Sequence, residues 1–176
     1  MIVSSKSNTV IITTVFPEVE PYLSRYLDSL EAQSSNSFEL LIANDGYIGL
    51  EEVLSKRELQ WRILEVNQTI SENRRALINK AIEYGYSKII FSDSDDELSF
   101  NRVKVLNSML DNNDVVVNDL DIIDSSNQLI EKKYFSNRFD DGENINIRKV
   151  QSGNMMGLTN TAATASALKN CIALKK

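Results

Sequence analysis

The fold of this chain is decided by the stretch Lys88-Ile89-Ile90-Phe91-Ser92-Asp93-Ser94-Asp95-Asp96-Glu97, in which a short apolar run ends in a cluster of acids. The apolar half has the length and composition of a buried strand. Clustered carboxylates repel one another, so a folded loop that contains them is solvated, partnered by cations, or built to hold a metal. Ligand sites in open α/β sheets lie just beyond the carboxyl ends of strands. The stretch therefore predicts either a divalent-metal site or a solvated acidic turn, and alone it favours neither.

Composition places the chain among globular proteins and removes several classes of function. Its 176 residues are 42% hydrophobic and 25% charged, which fits one compact domain with a real core. The net charge of −6 argues against a broad nucleic-acid surface and against electrostatic docking on anionic lipid. The absence of histidine excludes histidine-based triads, zinc ligands and general bases. Neither a P-loop nor a Rossmann glycine motif occurs, so any chemistry depends on carboxylates, Lys, Arg, hydroxyls, backbone groups or metal.

The sequence shows no feature that directs a protein to a membrane or out of the cell. The segment Met1–Lys6 lacks the apolar run of a signal peptide, and no stretch of about 18 apolar residues could cross a bilayer. Cys171 is the one cysteine, so no internal disulfide can form. These observations predict a cytoplasmic protein in a reducing compartment.

Apolar strands alternate with amphipathic helices along the chain. Strands are predicted at residues 9–15, 38–43, 61–66, 88–91 and 115–117, with further short strands at 122–123 and 129–130. Helices are predicted from Pro21 to about residue 33, at 50–59, from Ser71 as N-cap to 84, at 101–110 and, in an Ala-rich segment, at 159–174. This alternation predicts a largely parallel sheet.

Polar residues follow three of the predicted strands. Thr13 and Thr14 close the first strand, Asn44 and Asp45 follow the second, and the acids 93–96 follow the fourth. Because the carboxyl ends of parallel strands lie along one edge of a sheet, these residues are expected to converge.

The order of these pieces resembles family-2 glycosyltransferases, which have the GT-A fold. Members have an apolar first strand, a helix ending near a Gln, a strand ending in an acid before Gly, a helix with Arg and Asn, and a strand ending in Asp-x-Asp. The matching pieces are residues 10–14, 22–33, 40–46, 71–76 and 89–96. The resemblance covers roughly residues 8–124. It implies an α/β, GT-A-like (Rossmann-like) three-layer sandwich with a mostly parallel central sheet. It further implies a single domain over residues 1–176, in which the part from about 125 faces the acceptor.

The resemblance also assigns roles to nucleotide-binding residues. It places Thr13 and Thr14 against the base and ribose, and it makes Asp45 the acceptor of a hydrogen bond from the imide N–H of uracil. It gives Arg74 or Arg75 a charge contact with the diphosphate or the loop acids. From the residues alone, alternatives remain: Asp45 could form an Asx-type turn, and both arginines could lie on a solvated helix face.

A metal site is the third implication of the resemblance. It makes Asp95 a direct ligand of Mn²⁺ or Mg²⁺, places Asp93 near the ribose and the water shell of the metal, and sets Asp96 beside them. Both ions are hard and prefer oxygen ligands. The ion would bridge the phosphates of a nucleoside-diphosphate sugar and neutralise charge on the departing diphosphate.

The implied activity is that of a hexosyltransferase-like enzyme. It would move a sugar from a nucleoside-diphosphate donor, a UDP-sugar foremost, to a glycan, lipid-linked or other hydroxyl acceptor with inversion. The resemblance implies a role in cell-surface polysaccharide biosynthesis. It leaves homo-oligomerisation and peripheral association with the inner face of the membrane open.

The sequence departs from the family pattern at three places. The catalytic base of the family is a later carboxylate, but no Asp or Glu follows Glu143, so the catalytic residue is unknown. Tyr47 stands where the family usually has Ser, and the aromatic residue after the first strand is displaced to Phe16. Residues 152–161 resemble the stretch that leads towards the base. The chain is therefore truncated, completed by a partner, built differently on the acceptor side, or a non-catalytic nucleotide- or glycan-binding module of the same fold.

Three other protein classes, two that also use closely spaced acids and one with a similar sheet, fit less well. An EF-hand needs Gly at position six and Glu at position twelve, where counting from Asp93 gives Leu98 and Lys104. A haloacid-dehalogenase-type phosphatase normally carries its Asp-x-Asp near the N-terminus, whereas two βα units precede this one. A sugar nucleotidyltransferase needs a Gly-rich loop after the first strand, and residues 13–17 do not supply it.

Overall fold

The structure is a computed structural model that describes residues 7–135, 157 and 159–173, and the side chains among them up to residue 170. The strands are β1 (Thr9–Val15), β2 (Glu39–Asn44), β3 (Trp61–Glu65), β4 (Lys88–Phe91), β5 (Val115–Val117), β6 (Ile122–Ile123), β7 (Leu129–Glu131) and β8 (Thr161–Thr164). The helices are α1 (Glu20–Glu31), α2 (Leu50–Ser55), α3 (Ile70–Glu83), α4 (Arg102–Met109) and α5 (Ala165–Ala173).

A six-stranded central sheet organises the chain, with the strand order β3-β2-β1-β4-β8-β5. The first four of these strands run parallel to their neighbours, whereas β8 runs antiparallel to both β4 and β5. Strands β6 and β7 form a separate antiparallel pair. The predicted α/β class with a mostly parallel sheet is confirmed.

Helices cover both faces of the sheet and make it a three-layer sandwich. Along β1, Ile11 and Val15 pack into a cluster with residues of α1, α2 and α4, while Val10 and Ile12 pack into a cluster with residues of α3. This division follows from the alternation of side chains along a strand. The same alternation places Thr13 on the face of Ile11 and Thr14 on the face of Ile12, so the two threonines point to opposite layers.

The sequence predicted one helix over the Ala-rich segment 159–174, and this prediction is wrong. Residues 161–164 form β8, and α5 begins only at Ala165. Ala162 and Ala163 are 0% and 1% exposed because β8 lies between β4 and β5. High helix propensity is a weak prior that tertiary burial overrides, and here the sheet accepts small side chains between two strands.

The start of α3 also differs from its prediction. Thr69, instead of Ser71, is the N-cap residue: the Thr69 hydroxyl accepts from the N–H of Glu72, and the Glu72 carboxylate accepts from the N–H of Thr69 at 3.0 Å. This reciprocal arrangement is a capping box, which satisfies two helix-terminal donors at once. It fixes the first turn of α3, which ends at Asn73 and is followed directly by Arg74.

Two of the predictions concern an acceptor-side stretch and membrane-spanning segments. Residues 152–156 and 158 of the predicted acceptor-side stretch lie outside the described residues. Within the described ranges, no helix is long and apolar enough to cross a bilayer.

The capping box gives a first prediction. Thr69→Ala removes the acceptor for the Glu72 N–H and should lower the free energy of unfolding by about 1 kcal/mol. Urea denaturation followed by circular dichroism measures this change. Ser71→Ala is the matched control, because Ser71 is exposed and lies inside the helix. Equal stability of the two variants would contradict the assignment of Thr69 as N-cap.

Candidate functional site

The carboxyl ends of the parallel strands are aligned by their pairing register. Val15 of β1 pairs with Asn44 of β2, which in turn pairs with Glu65 of β3. On the other side of β1, Ile12 pairs with Phe91, and the N–H of Ser92 donates to the carbonyl of Ile12 at 3.1 Å. The residues that follow β1, β2 and β4 therefore meet along one edge of the sheet, as the sequence predicted.

Asn44 organises the turn after β2. Its Nδ2 donates to the Glu65 carboxylate at 3.0 and 3.2 Å and to the Tyr47 carbonyl at 3.2 Å, and its Oδ1 accepts from the Tyr47 N–H at 2.9 Å. Gly46 adopts a φ of 84°, in the left-handed region that favours glycine. The side chain that closes this turn thus belongs to Asn44, so the carboxylate of Asp45 is available for other contacts.

Asp45 is held by helix α3. The Nδ2 of Asn73 donates to the Oδ2 of Asp45 at 3.0 Å, and Asn73 itself is 0% exposed. The backbone N–H of Asp45 donates to the carbonyl of Val15 at 2.8 Å, which ties the residue to the end of β1. Asp45 is half-buried, so one side of its carboxylate remains open to a ligand.

A small pocket opens between the ends of β1 and β4 and the start of α3. Thr13, Thr14, Arg74 and Asp93 line it, together with Ile12, Leu77, Phe91 and Ser92. The hydroxyl of Thr14 is buried and makes no hydrogen bond in the structure. A buried hydroxyl without a partner costs free energy, which a ligand that offers a donor or acceptor would recover.

The acidic loop is attached to this pocket at two points. The Nη2 of Arg74 donates to the Oδ1 of Asp93 at 3.1 Å, and both side chains are 36% exposed. The hydroxyl of Ser94 donates to the carbonyl of Thr14 at 2.7 Å. One cation and one backbone contact thus hold the loop against the end of β1.

Two of the loop acids have perturbed pKa values. Burial raises the pKa of Asp93, and the carboxylates of Asp96 and Asp95 raise it further, against an opposing effect of Arg74. Burial also raises the pKa of Asp96, with a further contribution from Asp95, while a hydrogen bond with Thr159 and the charge of Arg102 oppose it. A titratable cluster in which ionisation is unfavourable is typical of a functional site.

A buried guanidinium lies behind this loop. Arg102 is 8% exposed; its Nη2 donates to the carbonyl of Phe91 at 2.9 Å and to the carbonyl of Thr159, and its Nε donates to the Oδ1 of Asn118 at 3.2 Å. Burial lowers the pKa of Arg102 to about 10, with opposing contributions from Tyr26, Asp96 and Asp93. Arg102 therefore joins the ends of β4 and β5 to the start of β8 and places a positive charge beneath the acids.

Tyr26 of α1 completes this layer. Its hydroxyl hydrogen-bonds the hydroxyl of Ser92 at 2.7 Å. Burial raises the pKa of Tyr26 to about 12, although the hydrogen bond with Ser92 opposes the rise. The hydroxyl thus stays protonated at physiological pH and anchors the start of the acidic loop to α1.

Not every predicted site residue joins this group. Arg75 is exposed on α3. The pKa of Glu72 is lowered chiefly by its hydrogen bonds with Thr69, and the charge of Arg75 lowers it slightly further. Asp95 is exposed, whereas Asp93 and Asp96 are half-buried. Among the described residues, no three carboxylate or thiolate side chains converge as a ready set of metal ligands. The loop still fits a hard divalent cation in kind, because it offers only oxygen donors whose mutual repulsion a cation would relieve.

Two residues of this site were missed by reasoning from the sequence. Asn73 lies on the buried stripe of α3 with Leu77 and Ala81, so a polar side chain at an apolar position was the available indication. Arg102 lies beside Val103 and is buried with it, in the helix that directly follows the acids. A cation at a buried helix position so close to three carboxylates was a pattern that the sequence contained.

Comparison with known families identifies the chain. The sequence model of glycosyl transferase family 2 matches residues 9–167. The chain belongs to this family. No curated protein sequence matches it at a significant level.

Several solved structures share its fold, although their sequences are less than 25% identical. The fragment 1–349 of S. aureus TarS is 18% identical with a TM-score of 0.65, over 92% of this chain and 48% of that one. The same fragment in complex with UDP-GlcNAc is 16% identical with a TM-score of 0.64, over 92% and 46%. The 4-diphosphocytidyl-2C-methyl-D-erythritol synthase of Anaerococcus prevotii is 12% identical with a TM-score of 0.60, over 97% and 77%. The chain thus spans about half the length of the TarS fragment.

The raised pKa of Asp93 predicts a pH-dependent change in stability. The pKa of Asp93 in the folded state exceeds the ordinary value of 3.8. Between the ordinary pKa and the raised pKa, the folded state binds more protons than the unfolded state, so the free energy of unfolding falls as the pH rises through this range. Asp93→Asn should therefore increase the free energy of unfolding at pH 7, by no more than about 1 kcal/mol because solvent screens the half-exposed site. Below the ordinary carboxyl pKa the gain should disappear.

Urea unfolding of both proteins in the presence of chelator, at neutral and at acidic pH, measures this effect. The exposed Glu51 provides the control substitution Glu51→Gln. A variant that is less stable than the natural protein at pH 7 would show that the Arg74 contact outweighs the cost of burying the charge.

Proposed function

We propose that this chain binds a nucleoside-diphosphate sugar at the carboxyl edge of β1, β2 and β4 and transfers the sugar to a hydroxyl acceptor. The observation that carries the proposal is that Thr13, Thr14 and the Arg74–Asp93 pair line one pocket, while α3, which carries Arg74, also holds Asp45 through Asn73 at the same edge of the sheet. Membership of glycosyl transferase family 2 supports the reaction class. The complex of the TarS fragment with UDP-GlcNAc supports a uridine nucleotide as the donor's leaving group.

The base-binding end of the proposed site is Asp45. An ionised carboxylate accepts hydrogen bonds and donates none, so it pairs with a base that presents an N–H. The imide N–H of uracil meets this requirement, and a charge-assisted hydrogen bond to it is stronger than a neutral one. Thr14, whose buried hydroxyl lacks a partner, supplies a further polar contact for the base or ribose.

The diphosphate-binding end is the acidic loop with Arg74. The three carboxylates of the loop outnumber the guanidinium groups of Arg74 and Arg102, so the loop repels a diphosphate more than it attracts it, and the proposed site requires a divalent cation. Asp95, Asp93 and Asp96 would hold Mn²⁺ or Mg²⁺, which as a Lewis acid stabilises charge on the departing diphosphate. Arg74 is placed to exchange its contact with Asp93 for a phosphate oxygen, since it is 36% exposed.

A second candidate function is a non-catalytic nucleotide- or glycan-binding module. The observation that favours it is that the described site accounts for the binding of a nucleotide, while none of its residues is assigned to remove a proton from an acceptor. Inverting transfer needs a base that removes the proton of the acceptor hydroxyl. Release of UDP from UDP-sugars in the presence of Mn²⁺ separates the two candidates, because a module binds the donor without turning it over.

Isothermal titration calorimetry with UDP tests the binding site. We expect UDP to bind in the presence of Mn²⁺ and to lose affinity when chelator is added. Asp95→Asn should weaken binding about tenfold or more, because it removes one charged oxygen ligand from the cation. Glu83→Gln is the control, since Glu83 is an exposed carboxylate at the far end of α3 from Arg74.

Two results would contradict the proposal. If UDP binds equally well with and without chelator, the cation takes no part in UDP binding. If the Asp95→Asn variant binds UDP as tightly as the Glu83→Gln control, the acidic loop is not part of the UDP-binding site.

A further inference from the structure

Asn73 is a polar side chain retained at a fully buried position. It shares the buried stripe of α3 with Leu77 and Ala81 and is 0% exposed. Its Oδ1 is buried without a hydrogen-bond partner. An orphaned buried acceptor lowers stability, and an apolar residue of similar shape at the same position avoids that cost.

The hydrogen bond of the Asn73 side chain serves the candidate site and not the packing of the core. Its Nδ2 donates to the Oδ2 of Asp45 at 3.0 Å, and among the described residues this is its side-chain hydrogen bond. The turn after β2 does not need this bond, because Asn44 closes the turn through Tyr47. What the bond changes is therefore the orientation of the Asp45 carboxylate.

A donor fixed at Oδ2 leaves Asp45 with one unoccupied oxygen. The amide of Asn73 restrains rotation of the carboxylate, and Asp45 is only half-buried, which leaves its other oxygen, Oδ1, for a ligand. The open acceptor at the end of β2 is thus a single oxygen with a set direction.

We infer that Asn73 is a positioning residue that presents one oxygen of Asp45 to the nucleobase and thereby selects uracil over guanine. This inference rests on the proposed binding of a nucleoside diphosphate at the same edge. Uracil presents one N–H between two carbonyls, which matches one acceptor. Guanine presents two adjacent N–H groups, which match a carboxylate with both oxygens open, the arrangement that Asn73 prevents.

The test compares UDP and GDP affinities of Asn73→Leu with those of the natural protein, by calorimetry in Mn²⁺. Leu has the same branching at Cγ but no donor. We expect UDP to bind about tenfold more weakly, from the loss of one hydrogen bond to a charged group and of carboxylate orientation. GDP affinity should stay unchanged or rise, so the preference for UDP over GDP falls about tenfold.

Two further measurements separate positioning from a structural role. The midpoint of thermal unfolding of Asn73→Leu should equal or exceed that of the natural protein, because the orphaned amide oxygen is gone. In an Asp45→Ala background, Asn73→Leu should have no further effect on UDP affinity, because Asn73 acts through Asp45. Asn79→Leu is the matched control, as Asn79 is exposed on the same helix.

The inference is overturned if Asn73→Leu weakens UDP and GDP by the same factor, or if its effect persists in the Asp45→Ala background. If the natural protein binds UDP in Mn²⁺ and Asp45→Ala binds it equally well, the positioning role fails while nucleotide binding stands. If the natural protein binds neither nucleotide, the proposed function fails and this inference with it.

Discussion

The parallel register between β1 and its neighbours β2 and β4 is the constraint on which the rest of the structure depends. It sets Val15 beside Asn44 and Ile12 beside Phe91, so the residues that follow the three strands emerge at one edge. A slip of one residue would exchange the two faces of a strand and separate Thr13 from Tyr26 and Thr14 from α3. Because β1 is buried on both faces, the hydrophobic core itself enforces the register.

The acidic loop shows how like charges are tolerated at this edge. Arg74 contacts Asp93 from the solvent side, and Arg102 lies beneath the loop with its guanidinium bonded to backbone carbonyls on two sides. The raised pKa values of Asp93 and Asp96 indicate that these cations do not fully compensate the burial of the acids. The loop is thus held in place but remains short of positive charge, which is the electrostatic condition of a cation-binding site.

Much of this arrangement was predictable, and the exceptions have physical causes. Strands β1 to β4 were evident from β-branched and apolar runs, and the three polar strand ends were placed on one edge because parallel strands require it. Strand β8 was not predicted, because Ala residues are compatible with a helix as well as with a strand that lies between two others, as β8 lies between β4 and β5. Thr69 was overlooked as the N-cap although Glu72 stands three residues after it. Asn73 and Arg102 were overlooked because their partners come from other elements: a polar or charged residue at an apolar helix position indicates burial, but it does not indicate which group the residue contacts.

The position of β8 has a consequence for how the chain acquires its structure during synthesis. β4 pairs with β8, and β5 also pairs with β8, which is encoded more than forty residues after it. Until residue 164 has left the ribosome, β4 and β5 each present an unpaired edge to their surroundings. Pairing between segments so far apart forms slowly, because loop closure precedes the contacts that reward it. The newly made N-terminal part is thus a species with an open sheet edge, and such an edge is prone to pair with another chain.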